Sequence, residues 1–294
     1  MRGVIIDSHA HLDSRLLDVD LMCAKMDEAG VDRAALIPCM NDPIPETPER
    51  LLSALRIAMQ SGPGRLLAEG IHRMLLTSDG DLKLSGQVIP IYPQPDNQPV
   101  ADALLARPDR FYGWMFLNPA ADERVLESLE RWRAVPGMIG IKLHPHWHDY
   151  KTEILGPLLG RAEELGLPIL IHLGFRKRGD FRHLCDAYPR LKVIAAHAGF
   201  PFYKALWAEV PRYHNLHVDL SSPYIDEKLA RSAVAALGPR RCLYGTDSPY
   251  GFECDDHSYN YRHIRGWIDR LPIADAERDA IFGGNFQSLL QGAT

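Results

Sequence analysis

The stretch Val4-Ile5-Ile6-Asp7-Ser8-His9-Ala10-His11-Leu12-Asp13 reads as an apolar strand that ends in two histidines one residue apart. Side chains at i and i+2 of a strand share a face, so His9 and His11 should lie side by side with their imidazoles converging. Imidazole is the commonest protein ligand for zinc and suits other transition metals. Taken alone, His-x-His also fits a half-exposed strand carrying two ordinary histidines. The later sequence changes that balance, because it repeats one design: an apolar strand, then a polar residue able to bind metal.

Working outward, Asp18 to Gly30 has helical spacing, with Gly30 as C-cap, and Arg33 to Pro38 is a second apolar run. Glu49 to Gln60 reads as helix. Residues 61–99 break the rhythm. They hold a Ser-Asp-Gly-Asp turn at 78–81 between two strand-like runs, then Pro90, Pro93, Pro95 and Pro99. The expectation is an inserted hairpin and loop. The alternation then resumes, with strands near 114, 140, 170, 194, 218 and 244, most of them followed by a helix. The tail from about Tyr259 is helical.

Eight near-continuous apolar strands with intervening helices are typical of a parallel sheet covered on both faces. Eight βα units in 294 residues suggest an α/β fold closed into a single (β/α)₈ barrel domain over 1–294. The rival is an open doubly wound sheet. No Gly-x-Gly-x-x-Gly or P-loop follows any strand, so nothing supports a dinucleotide- or NTP-binding version of it. In a barrel the working groups sit at the C-terminal strand ends. Here these are His9 and His11 on strand 1, Lys142 and His144 on strand 4, His172 on strand 5, His197 on strand 6 and Asp247 on strand 8. His144, His146 and His148 fit capped loop residues equally well.

Composition narrows the class. The chain is 46% hydrophobic and 24% charged, with a net charge of −5 and no long run of one sign, which argues against a nucleic-acid binder with a basic face. No stretch is apolar enough to span a bilayer, and none before Val4 reads as a signal peptide. The 5 cysteines are scattered without a Cys-x-x-Cys pair, so the expectation is a reducing cytoplasm and no disulfide framework.

Five pieces carry a family resemblance: Asp7-Ser-His9-Ala-His11, Gly140-Ile-Lys-Leu-His-Pro145, Ile171-His172, Ala196-His197-Ala-Gly199 and Gly245-Thr-Asp247-Ser-Pro249. In this order they resemble the metal-dependent amidohydrolase superfamily and its amidohydrolase 2 branch, which holds both hydrolases and decarboxylases such as aminocarboxymuconate-semialdehyde decarboxylase. The resemblance implies that His9, His11, His172 and Asp247 hold one divalent metal, zinc first and manganese second. It also implies that His197 lies near the metal-bound water or substrate. Three imidazoles and a carboxylate leave such an ion open positions. Asp247 could then take or give the proton while His197 stabilises an oxyanion. Asp7 and Asp219 are candidates for orienting the histidines.

Lys142 has two readings. Carbamylated, it could bridge a second metal; unmodified, it could bind a substrate carboxylate, and the mononuclear form is preferred because a lysine otherwise stays a cation. Substrate contacts are expected from Lys142, His144, Arg176 and Tyr250, with Trp147, Phe175, Phe200, Phe202 and Tyr224 as walls. The main expectation is hydrolysis of a C–O or C–N bond in a small carboxylated cyclic substrate. The alternative is non-oxidative decarboxylation, and a non-catalytic binding barrel comes third. A homodimer is expected from base rates.

Overall fold

The computed structural model describes residues 3–45, 47–84, 86–254 and 258–291. Eight parallel strands form one sheet in the order β1 (Ile6–Leu12), β2 (Arg33–Pro38), β5 (Phe111–Phe116), β6 (Met138–Leu143), β7 (Ile169–Ile171), β8 (Val193–Ala195), β9 (Leu216–Asp219) and β10 (Cys242–Leu243). β3 (Leu82–Leu84) and β4 (Gln87–Ile89) form a separate antiparallel hairpin. The two ends of the large sheet meet. Ser8 N donates to Tyr244 O at 3.0 Å, Asp247 N to His9 O at 2.7 Å and His11 N to Ser248 O at 2.6 Å. A parallel bridge joins Ala10 to Ser248. The fold is therefore the (β/α)₈ barrel expected from the alternation.

Strand residues alternate between two cores. Ala35, Ile37, Trp114, Phe116, Leu170, Ile194 and Leu243 belong to the inner one. Ala34, Leu36, Met115, Ile141, Ile169, Val193 and Val218 face the helix layer. On β1, Ile6 is inner while Ala10 and Leu12 are outer, which strict period-two alternation forbids. The register of β1 against β2 shifts between Asp7 and Ala10. This bulge turns His9 and His11 into the bore. Beneath them Trp114 fills the barrel and donates Nε1 to Ser8 O at 3.0 Å. A Cβ on Gly140 would lie 2.5 Å from the Trp114 ring, so only glycine fits there.

The helices follow their caps. Asp18 accepts from Leu21 N at the start of Val19–Ala29, and Gly30 closes that helix at φ 65°. Asp226 caps Glu227–Leu237 in the same way.

The 61–99 segment differs from expectation. Its first part is a helix, Gly62–Leu75, capped by Ser61 accepting from Gly64 N. Proline follows the first helical residue, where its missing N–H costs nothing. The Ser-Asp-Gly-Asp stretch does turn the chain, with Thr77 N donating to Asp81 O at 2.9 Å and an antiparallel bridge between Leu76 and Leu82, and the β3–β4 hairpin follows across 82–89. The Gly62–Leu75 helix pairs with Glu49–Met59 and covers the C-terminal mouth of the barrel. Its Glu69 is buried and meets Arg176 Nε at 2.7 Å, while Arg178 Nη2 lies 3.6 Å away. Arg56 of the first helix donates to Pro223 O at 2.7 Å. No helix among the described residues is long and apolar enough to cross a membrane.

Candidate active site

His9, His11, Lys142, His144, His172, His197, Asp219 and Asp247 are all buried and gather at the C-terminal mouth. Lys142, His144, His172 and Asp219 reach it by simple alternation along their strands. His197 does not. It follows Ala196 of the inner core, so regular backbone would turn it outward. Its φ is +53° and that of Ala198 +55°, and this left-handed turn points it back inward. Asp247 likewise has φ +62°. Non-glycine residues held in this region are costly, and such outliers cluster at functional sites.

Asp219 is the hub of the inner wall. Its Oδ2 accepts from His9 Nδ1 at 2.9 Å. Its Oδ1 accepts from His197 N and Ser221 N, each at 3.0 Å, and from the Ser221 hydroxyl. Ser221 Oγ is also 2.9 Å from His197 Nδ1. Burial works against the charge of Asp219, but His9, His197 and Ser221 hold its carboxyl well below the usual range.

Asp7 acts differently. It accepts from His9 N at 3.1 Å, Thr246 N at 3.0 Å and Thr246 Oγ1 at 2.5 Å, which ties β1 to the segment carrying Asp247. It touches backbone and threonine rather than an imidazole. Burial raises its pKa to about 7.

Asp247 Oδ1 lies 3.1 Å from His9 Nε2 and 3.3 Å from His11 Nε2. With His9 Nδ1–H donated to Asp219, a neutral His9 turns its Nε2 lone pair toward this carboxylate oxygen. That arrangement is repulsive unless a proton or a cation sits between them. One ligand atom from each of His9, His11 and Asp247 falls within 4.8 Å of the others. His9, His197 and Asp219 form a second such group, but hydrogen bonds already account for it. His172 Nε2 is buried without a hydrogen-bond partner, and its ring is 4.7 Å from that of His197. His9, His11 and Asp247 fit a divalent ion, while His172 lies outside that group of converging ligand atoms.

The charges place a cation between the carboxylates and His9 and keep the other imidazoles neutral. Burial and Lys142 lower the proton affinity of His9, but Asp219 and Asp247 prevail and its pKa is raised. His11 is lowered by burial, His172 well below the usual range, and His197 to about 4. Neutral imidazoles are the form that binds metal. Burial opposes the charge of Asp247, yet His197, His9 and His11 keep it firmly ionised. Lys142 Nζ is 3.2 Å from His9 Nε2, and burial brings its pKa down to about 8.

Among the expected substrate contacts, His144 packs on His172 with ring centroids 4.3 Å apart and accepts from Trp147 N through Nδ1 at 3.2 Å. Tyr250 packs edge-on to His11 with ring centroids 5.2 Å apart, its hydroxyl buried. Phe200 and Tyr224 pack against His172. Arg176 lies elsewhere. It is mostly exposed and engaged by Glu69, because the segment read as hairpin and loop is a helix that delivers a buried carboxylate to it. Sequence reasoning missed Ser221, Glu69 and His72. The serine carried no spacing signal. Glu69 and His72 share one helical face, a signal that a helical reading of 62–75 would have exposed.

The sequence model of the family described as Amidohydrolase matches residues 6–286. A gamma-resorcylate decarboxylase from Polaromonas sp. strain JS666 is 24% identical over 164 residues, 49% of this chain and 45% of that protein, so the match spans about half the curated relative's length. Among solved structures, a dihydroxybenzoic acid decarboxylase from Polaromonas sp. JS666, with bound manganese and 2-nitroresorcinol, superposes with TM-score 0.64 at 20% identity, covering 99% of this chain and 97% of that one. The 5-carboxyvanillate decarboxylase of Sphingomonas paucimobilis gives TM-score 0.61 at 16% identity, over 98% and 99%. The family match runs through all five motifs and across the whole barrel, and the chain belongs to the amidohydrolase 2 branch of the amidohydrolases.

Proposed function

We propose that the protein is a metal-dependent, non-oxidative decarboxylase of a hydroxylated aromatic carboxylate. The observation that carries its metal dependence is the Asp247 oxygen set 3.1 and 3.3 Å from two histidine nitrogens. The decarboxylases among its similar proteins favour this branch over hydrolysis, the first expectation from sequence, which would use the same donors. We infer one divalent ion held by His9, His11, His172 and Asp247. Zinc and manganese both suit imidazole and carboxylate donors. When bound, the ion would polarise substrate oxygen and fix the substrate's carboxylate and neighbouring hydroxyl.

The protein's own groups do the rest. Lys142 and His144 hold the negative end of the substrate. That added charge raises the proton affinity of Asp247, which is ionised at rest. Asp247 takes one proton from solvent as the substrate binds and gives it to the ring carbon that bears the carboxylate. The bond to the carboxyl carbon then breaks, its electron pair restores the aromatic ring, and carbon dioxide leaves. His197, fixed by Asp219 and Ser221, faces the developing charge. Phe200 and Tyr224 exclude water and keep the ring flat.

The test is a panel of 2,6-dihydroxybenzoate, 5-carboxyvanillate, lactones and amides on metal-loaded protein. Release of carbon dioxide with one molecule of arene is expected from the aromatic acids. Acid release from lactones or amides, without carbon dioxide, would return the assignment to hydrolysis.

A further inference from the structure

The Gly62–Leu75 helix brings to the site a side chain that the steps above leave unused. His72 is only 7% exposed. Its ring centroid lies 4.3 Å from that of His146, 5.3 Å from Trp147 and 5.7 Å from Phe175. His146 in turn stacks on His172 at 4.9 Å with planes 19° apart. A file of imidazoles therefore runs from the metal-ligand candidate His172 outward to His72. Along it, His72 Nε2 and His146 Nδ1 are buried without a hydrogen-bond partner. These two atoms come from different elements.

Unpaired buried polar nitrogens are costly, and native structures rarely leave two together without something to fill the role. The walls say what that something looks like: Trp147 and Phe175 favour a flat ring. In the Nδ1–H tautomer a neutral His72 presents Nε2 as an acceptor, and a hydroxyl is the group that serves it.

We propose that His72 is a specificity residue whose Nε2 accepts a hydrogen bond from a hydroxyl on the substrate edge away from His9, His11 and Asp247, opposite Nδ1 of His146. A segment inserted into the barrel would thus choose among phenolic acids that the barrel itself binds alike.

The choice of ring compounds rests on the decarboxylase reading, but one arm of the test does not. In the metal-loaded full chain labelled with ¹⁵N-histidine, phenol should shift the His72 ring nitrogens. Anisole, which lacks the donor, should not. His72→Phe assigns the signal by its loss, and absence of a phenol-specific shift overturns the proposal. In the second arm, 2-nitroresorcinol is compared by visible titration with its analogue carrying a third hydroxyl opposite the nitro group. The trihydroxy compound should bind about 10-fold tighter to the wild-type protein. The ratio should fall to near 1 in His72→Phe and recover in part in His72→Gln, which keeps an acceptor. An equal weakening of both compounds would make His72 a packing residue and overturn the proposal. Binding of neither compound to the wild-type protein would count against the decarboxylase reading alone, and the phenol shift would still judge His72.

Discussion

Asp219 Oδ2 sits 2.9 Å from His9 Nδ1, and the same carboxylate accepts the backbone N–H of His197 through Oδ1 at 3.0 Å. One side chain at the end of β9 thus fixes the tautomer of a candidate metal ligand and the left-handed turn of a candidate catalytic histidine. Asp219→Asn keeps the shape but can offer an N–H where His9 needs an acceptor. Metal affinity should fall about 10–100-fold, the usual cost of losing such a partner. Isothermal titration of metal into stripped protein measures it, and unchanged affinity would detach Asp219 from the metal.

Metal content of protein purified without added metal should be about one divalent ion per chain. It should be lost in His9→Ala and strongly reduced in Asp247→Asn, which keeps the size of the side chain but removes its charge. Elemental analysis reads this directly. Two ions per chain would make Lys142 a carbamylated bridge. Under the one-ion reading, Lys142→Met should keep the ion and raise KM for carboxylated substrates.

Stability of the metal-free protein should depend on pH through its part-buried histidines. Burial pushes His217 down to about 4, with Arg241 adding to it, and His148 to about 4 as well. Unfolded histidine titrates near ~6.5, so the unfolded chain takes up these protons first. The contribution is complete above about pH 6.5 and is lost as pH falls toward 4, by at most about 3 kcal/mol per group. Urea midpoints at pH 7 and 5 should differ less in His217→Leu than in the wild-type protein.

Glu69→Gln should loosen the helix pair over the mouth. The change removes the buried carboxylate that meets Arg73, Arg176 and Arg178, and leaves Asp149 as the remaining partner of Arg178. A loss of roughly 1–3 kcal/mol is expected. Limited proteolysis should cut first within residues 50–75, and cleavage elsewhere would show that this clamp does not hold the segment.

The barrel was readable because its strands are apolar runs at even spacing, and the site because Lys142, His144 and His172 stand at strand ends where alternation alone aims them. His197 and Asp247 were found by motif, although their orientation depends on positive φ, which no periodicity encodes. The helix at 62–75 was hidden by two glycines and a proline at its start, residues that usually punctuate loops. In this chain they lie in the first turn, where Pro is tolerated and Ser61 supplies the cap. With that helix went Glu69 and His72, and with Glu69 the true engagement of Arg176.

The bulge between Asp7 and Ala10 works like a frameshift in the language of side chains. Upstream of it the odd and even positions of β1 have one meaning, downstream the opposite. Deleting one residue within it would leave the hydrophobic count of the chain unchanged and still allow β1 to pair with β2. It would remove the extra residue, make the strand regular and still leave Ala10 and Leu12 outward and both histidines in the bore; only pairing every residue of β1 in regular register would turn the histidines out among the helices. The consequence is a barrel whose architecture and whose chemistry are written in different phases of one strand, joined by a single residue that pairs with nothing in the neighbouring strand.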